Sequence, residues 1–203
     1  MKYKGLCPER VHRIAIVGAG AIGCYYGARL SAAGYDVRFL ARSSISSLRE
    51  EGLLVSSPDG DIHLPVVQVY GSAEDIGPVD LVILCWKTTS NGFCHDVVAP
   101  LLHDGTAILT LQNGLGNTEY LAGIFGADQI YGGLCFVCVN RVATGRINHI
   151  AQGLVTIGYF GGEDNGRLDR MVSLFRAAEI PCRSVQDLTK AQWIKLVWNV
   201  AFN

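Results

Sequence analysis

The chain has 203 residues, with Lys+Arg 17 against Asp+Glu 18 and seven cysteines. That length suits one α/β domain, or one domain and the start of a second. The balanced charge, with no basic run, argues against a nucleic-acid partner, and no apolar run is long enough to span a bilayer.

Hydrophobic residues make up 49% of the chain, which suits a parallel sheet buried on both faces, or a surface kept for a partner. The leader, residues 1–13, has no apolar core and reads as a mobile arm rather than a secretory signal. The cysteines (Cys7, Cys24, Cys85, Cys94, Cys135, Cys138 and Cys182) are scattered and odd in number. They read as reduced, buried, small apolar residues of a cytoplasmic protein. Cys135 and Cys138 have metal-like spacing, but in a strand they face opposite sides, so no metal site is expected.

Taken in chain order, strands are expected at 13–17, 36–40, 53–56, 62–70, 80–84 and 106–111. Helices are expected at 21–33, ending at Gly34, and at 43–51, ending at Gly52. Helical stretches follow the strands at 80–84 and 106–111 as well. This βαβ rhythm predicts a doubly wound parallel sheet. From residue 130 the texture changes. Segments 133–141, 146–151 and 154–159 read as closely spaced strands forming an antiparallel extension. A helix at 167–178, a strand at 181–185 and a helix at 189–203 complete the chain. The fold class is α/β, Rossmann-like, with residues 1–188 as the nucleotide-binding domain and 189–203 as the start of a helical one.

Gly18-Ala19-Gly20-Ala21-Ile22-Gly23 follows the first strand and opens the first helix. In that context a G-x-G-x-x-G turn binds a dinucleotide: Gly18 makes the turn, Gly20 lets backbone approach the pyrophosphate, and Gly23 packs helix on strand. The helix N-terminus then faces the anion. About 20 residues on, where an NAD site carries Asp or Glu, stands Leu40-Ala41-Arg42-Ser43-Ser44. A carboxylate would repel a 2′-phosphate and Arg42 can grip it, so the cofactor expected is NADP(H). Asp36 lies at the opposite end of its strand.

Two more strand ends carry polar groups. Lys87 follows 81–86 and suits a ribose hydroxyl, a phosphate or a substrate carboxylate. Asn113 follows 108–112 and can donate and accept, though Asn-Gly is also an ordinary turn pair. In the last helix, apolar residues cover most of the circumference. Gln192, Lys195, Asn199 and Asn203 share a polar stripe roughly 80° wide. A helix apolar nearly all round is expected to be buried, which would place this stripe in an enclosed polar crevice. There Lys195 could donate a proton to an oxygen that gains negative charge during ketone reduction. Burial would lower its pKa toward neutrality. His95, His103 and His149 read as structural.

With these residues in view, the chain resembles the ketopantoate reductase family. The resemblance rests on residues 16–23, Cys85-Trp86-Lys87-Thr88, the Gln112–Asn117 segment, Gly145–His149 with Thr156–Gly158, and Lys195-x-x-x-Asn199-x-x-x-Asn203. It implies NADPH-dependent reduction of 2-dehydropantoate to pantoate, a step toward pantothenate and coenzyme A. It further implies Lys195 as general acid, with Asn199 and Asn203 holding substrate. Lys87 and Asn113 would lie between cofactor ribose and substrate, and the strand near Cys138 would meet the cofactor through its backbone. The family continues into a helical domain that begins with the last helix here. The chain therefore reads as a truncated member in which cofactor binding is kept and turnover is reduced or lost. Three alternatives stay open: a reductase of another small 2-keto acid, an NADP(H)-binding module without turnover, and pairing of the terminal helix with a second copy.

Overall fold

The computed structural model describes residues 13–161, 164 and 166–202; the arm before Arg13, with Cys7, and Asn203 lie outside the described residues. In chain order the elements are β1 (Arg13–Val17), α1 (Ala21–Ala32), β2 (Asp36–Leu40), α2 (Ile45–Glu50), β3 (Leu53–Ser56), β4 (Ile62–Leu64), β5 (Val69–Tyr70) and β6 (Leu81–Leu84). There follow α3 (Cys94–Val98), β7 (Ala107–Thr110), α4 (Asn117–Phe125), β8 (Ile130–Ala143), β9 (Arg146–Tyr159), α5 (Arg167–Ala177), β10 (Cys182–Val185) and α6 (Leu188–Phe202).

The strands form one sheet in the order β4-β3-β9-β8-β7-β6-β1-β2-β5, with β10 also beside β9. From β5 to β8 every neighbouring pair is parallel. Counted along the chain, these strands run third, second, first, fourth, fifth, sixth. The order reverses between β1 and β6, so a crevice opens there at the carboxyl ends of the strands. Beyond β8 the antiparallel β8/β9 pair is the expected extension.

The reason lies in the strand sequences. β1 and β6 bury apolar side chains on both faces. Ile14 and Ile16 enter one core layer with α1 and α5, whereas Ala15 and Val17 enter the other with α3 and α4. A buried polar cluster ties the β3–β4 turn to α1. Ser57 Oγ accepts from the Asp59 N–H at 3.1 Å and from Arg29 at 3.4 Å. Its own proton is then left for His149 Nδ1, 2.8 Å away. His149 is buried within this cluster.

The expected strand 62–70 is two strands on opposite edges of the sheet. β4 turns back on β3, and β5 joins β2. Pro65 separates them, because it has no N–H for a ladder. Conversely, the two segments expected at 146–151 and 154–159 are one strand. The residues between them form a bulge against β8, with Gln152 at φ 70 rather than a turn.

The final helix departs furthest from expectation. α6 is not buried. Ile194, Val197 and Val200 are 63%, 67% and 76% exposed, and both tryptophans of the helix are more than half exposed. The polar stripe faces the body instead. Leu188 anchors the helix start, buried against Gly132 and Gly158, where an added Cβ would stand 2.8 Å from its side chain. Gln192 donates to Thr118 Oγ1 at 3.4 Å, and Lys195 reaches the Asn113 loop. The helix is attached by its polar side because that side finds hydrogen-bonding partners on the sheet ends. No helix among the described residues is long and apolar enough to cross a membrane.

Candidate active site

A cleft of about 650 Å³ opens at the switch point. It is lined by the turn after β1 (Gly18, Ala19, Gly20), the loop after β2 (Ala41 to Ser44), the loop after β5 and the loop after β6 (Cys85, Trp86, Lys87). The glycines have distinct reasons. Gly18 has φ +108, and a Cβ there would meet the Trp86 backbone N at 2.7 Å. A Cβ on Gly23 would stand 2.1 Å from the Gly18 carbonyl oxygen. A Cβ on Gly20 would meet nothing within 4 Å, so the space above it is open to the cleft. α1 starts at Ala21 with no side-chain cap and no acidic residue in its first turn. Its first N–H groups therefore have neither an intrahelical nor a side-chain acceptor.

Arg42 and Lys87 are both exposed in this cleft. Neither has an ion-pair partner among the described residues. Asp36 is held elsewhere. Although burial works against its ionisation, hydrogen bonds from Arg38, Gln68 and Arg13 keep its carboxyl below the usual range. The Trp86 indole N–H is buried at the cleft wall without a partner among the described residues.

A second, smaller crevice lies between the ends of β7 and β8 and the inner side of α6. Gln112, Asn113, Asn117, Gln192, Lys195 and Asn199 line it. Lys195 Nζ donates to Asn113 Oδ1 at 2.9 Å, joining residues 82 apart in sequence. Lys195 is half-buried, and that burial lowers its pKa from the ordinary lysine value. The nearby Cys135 thiol would raise it only as a thiolate, but burial pushes Cys135 up to about 11 and so keeps it neutral near pH 7.

Amides hold the two cavities in register. Gln112 donates to Asn91 Oδ1 at 2.7 Å, and Asn91 donates to Asn117 Oδ1 at 3.0 Å. Asn117, buried at the start of α4, donates to the Asn113 carbonyl at 3.1 Å. Asn91 belongs to the 3-10 turn Thr88–Phe93 that follows Lys87. The Lys87 loop and the Asn113 loop are thus one hydrogen-bonded unit.

The structure brings together Gly18, Ala19, Gly20, Arg42 and Lys87 in the cleft, and Asn113, Lys195 and Asn199 in the crevice. Ala21, Ile22 and Gly23 form the start of α1 behind the turn. Cys138 lies on β8, exposed, outside the linings of both cavities; it also departs from the expectation of buried cysteines. Cys135 is buried and Cys138 exposed, and the described residues hold no cluster suited to a metal ion. Sequence reasoning missed Arg141, which lines the cleft from β8, and the Asn91–Asn117 link. No local motif marks either, since both contacts arise from how distant segments meet.

A doubly wound sheet with a glycine turn and cationic loops at its switch point defines a Rossmann-like α/β protein. A family model described as "Ketopantoate reductase PanE/ApbA" matches residues 14–162. The 2-dehydropantoate 2-reductase of Nostoc sp. is 40% identical over 196 residues, which cover 94% of this chain and 61% of that protein. The crystal structure of 2-dehydropantoate 2-reductase from Geobacter metallireducens is 48% identical with a TM-score of 0.91, over 94% of this chain and 63% of that one. A D-mandelate dehydrogenase, 19% identical with a TM-score of 0.83, shares the fold alone. The chain belongs to the ketopantoate reductase family. It spans less than two thirds of the length of the relatives it matches.

Proposed function

We propose that this chain takes part in NADPH-dependent reduction of 2-dehydropantoate to pantoate, with Lys195 as the proton donor. The observation that carries this reading is the half-buried Lys195 held 2.9 Å from Asn113 Oδ1, one amide relay away from the Lys87 side of the nucleotide cleft. The residues of the cleft fit the cofactor. Gly18 to Gly20 and the α1 N-terminus suit its pyrophosphate, and Arg42 with Ser43 suits a 2′-phosphate. The orphaned Trp86 N–H supplies a donor that only a ligand or water would satisfy.

When bound, the nicotinamide supplies the hydride. Lys195 delivers its ammonium proton to the carbonyl oxygen as negative charge builds there, and Asn113 fixes where that ammonium points. Asn199, with Asn203 as the resemblance implies, would hold the substrate by neutral hydrogen bonds, and Lys87 and Asn113 would serve the cofactor ribose and the substrate. The lowered pKa of Lys195 makes it a stronger acid than an exposed lysine. It also sets an alkaline limb, because the proton is lost as pH rises through that value.

The test is steady-state NADPH oxidation with 2-dehydropantoate. Lys195→Ala is expected to lower turnover by about 10²–10⁴-fold while NADPH affinity stays near wild type. Equal turnover in both proteins would remove Lys195 from the chemistry. NADPH binding without turnover by the wild type would favour the binding-module reading.

A further inference from the structure

We propose that Arg141 is an anion clamp that closes on the pyrophosphate of the bound dinucleotide from the side of the β8/β9 ribbon. The proposal rests on the dinucleotide reading of the cleft and adds a residue that no sequence motif marks. Its first support is placement. Arg141 pairs with Ile147 near the far end of the ribbon, and Ile147 pairs in turn with Val55 on β3. Because β3 follows α2, this pairing folds the end of the ribbon back beside the first βαβ unit. There Arg141 lines the same cleft as Gly18, Gly20 and Arg42.

The second support is the charge pattern. The glycine turn and the α1 N-terminus offer N–H groups but no cation. Arg42 stands at the end of β2, where a 2′-phosphate would lie, and Lys87 stands at the end of β6. Glu74 and Asp96 also line the cleft, and no ion pair among the described residues joins Arg141 to either. Arg141 is therefore a third cation of the cleft, beside Arg42 and Lys87, and the one on the ribbon side that no motif assigns to another part of the ligand. A guanidinium can hold two phosphate oxygens at once, opposite the backbone donors.

Titration calorimetry on the full chain with NADP⁺ and NAD⁺ tests this. Arg141→Ala is expected to weaken both ligands alike, by about tenfold, and to leave their ratio unchanged. Arg141→Lys, which keeps the charge but not the fork, is expected to fall between. Arg42→Ala provides the contrast, since it should collapse the ratio. Unfolding temperature serves as the folding control and should not move, because Arg141 is exposed. Unchanged affinity for both ligands in Arg141→Ala would overturn the clamp. So would a loss confined to NADP⁺, which would assign Arg141 to the 2′-phosphate. A wild type that binds neither ligand would overturn the dinucleotide reading itself, and the clamp with it.

Discussion

Gly20 and Gly23 sit three residues apart, one at the N-cap of α1 and one in its first turn, yet the structure gives them opposite jobs. A Cβ on Gly23 would collide with the Gly18 carbonyl at 2.1 Å and with Ile16 Cγ2 at 2.9 Å. A Cβ on Gly20 would enter empty space above the helix start. Gly23→Ala is therefore expected to cost about 1–3 kcal/mol of stability, or more if the turn cannot shift. Gly20→Ala should fold as the wild type does and lose dinucleotide affinity instead. Denaturant unfolding and ligand titration on the two variants check this; equal destabilisation by both would contradict it. At this scale much of the site was legible. Residues 18–23, Arg42, Lys87 and Asn113 could be picked out because a short motif and strand ends mark them, and Lys195 because it stands in the polar stripe of an otherwise apolar helix. Arg141 and the Asn91–Asn117 link could not, because a cross-strand register and a side-chain relay place them, and neither leaves a local pattern.

Among the elements, α6 teaches most. Its composition is that of a buried helix, and the inference from apolar circumference to burial is sound only if a partner exists. Within the described residues the body offers hydrogen-bonding groups instead, so the polar stripe docks and the apolar face is left exposed. An exposed patch of this kind favours association. Sedimentation velocity is expected to show concentration-dependent self-association, weakened by Val197→Glu. A monomer at every concentration would contradict this. The β-elements were legible to the extent that each was local. β1, β2, β6 and β7 read directly from their apolar runs. The split at Pro65 and the fusion of 146–159 did not, because sheet pairing decides whether a proline breaks a strand and whether a bulge counts as a turn.

For the whole molecule, the burial that defines the core also sets its response to pH. Burial pushes the thiols of Cys24 and Cys182 up to about 12, and that of Cys135 to about 11, from an ordinary 9.0. The phenols of Tyr26 and Tyr131 are raised as well, again mainly by burial. Above the unfolded value these groups keep their protons in the folded chain and lose them on unfolding. The unfolded state then binds fewer protons, so stability falls as pH rises. Each fully buried thiol contributes about 1 kcal/mol per pH unit over that range. Lys195 acts with the opposite sign, since its pKa is lowered, but it is one group against several. Urea unfolding under reducing conditions should show stability dropping from pH 9 to 11, with a shallower slope in Cys24→Ala. A flat profile would mean that the thiols are not desolvated as described.

The most direct test of the central claim is equilibrium titration of the wild-type chain with NADPH and with NADH. Arg42 and Ser43 stand where an NAD site carries a carboxylate. NADPH is therefore expected to bind at least about tenfold more tightly, the scale of one charge-assisted phosphate contact. Equal affinities, or tighter binding of NADH, would contradict the assignment.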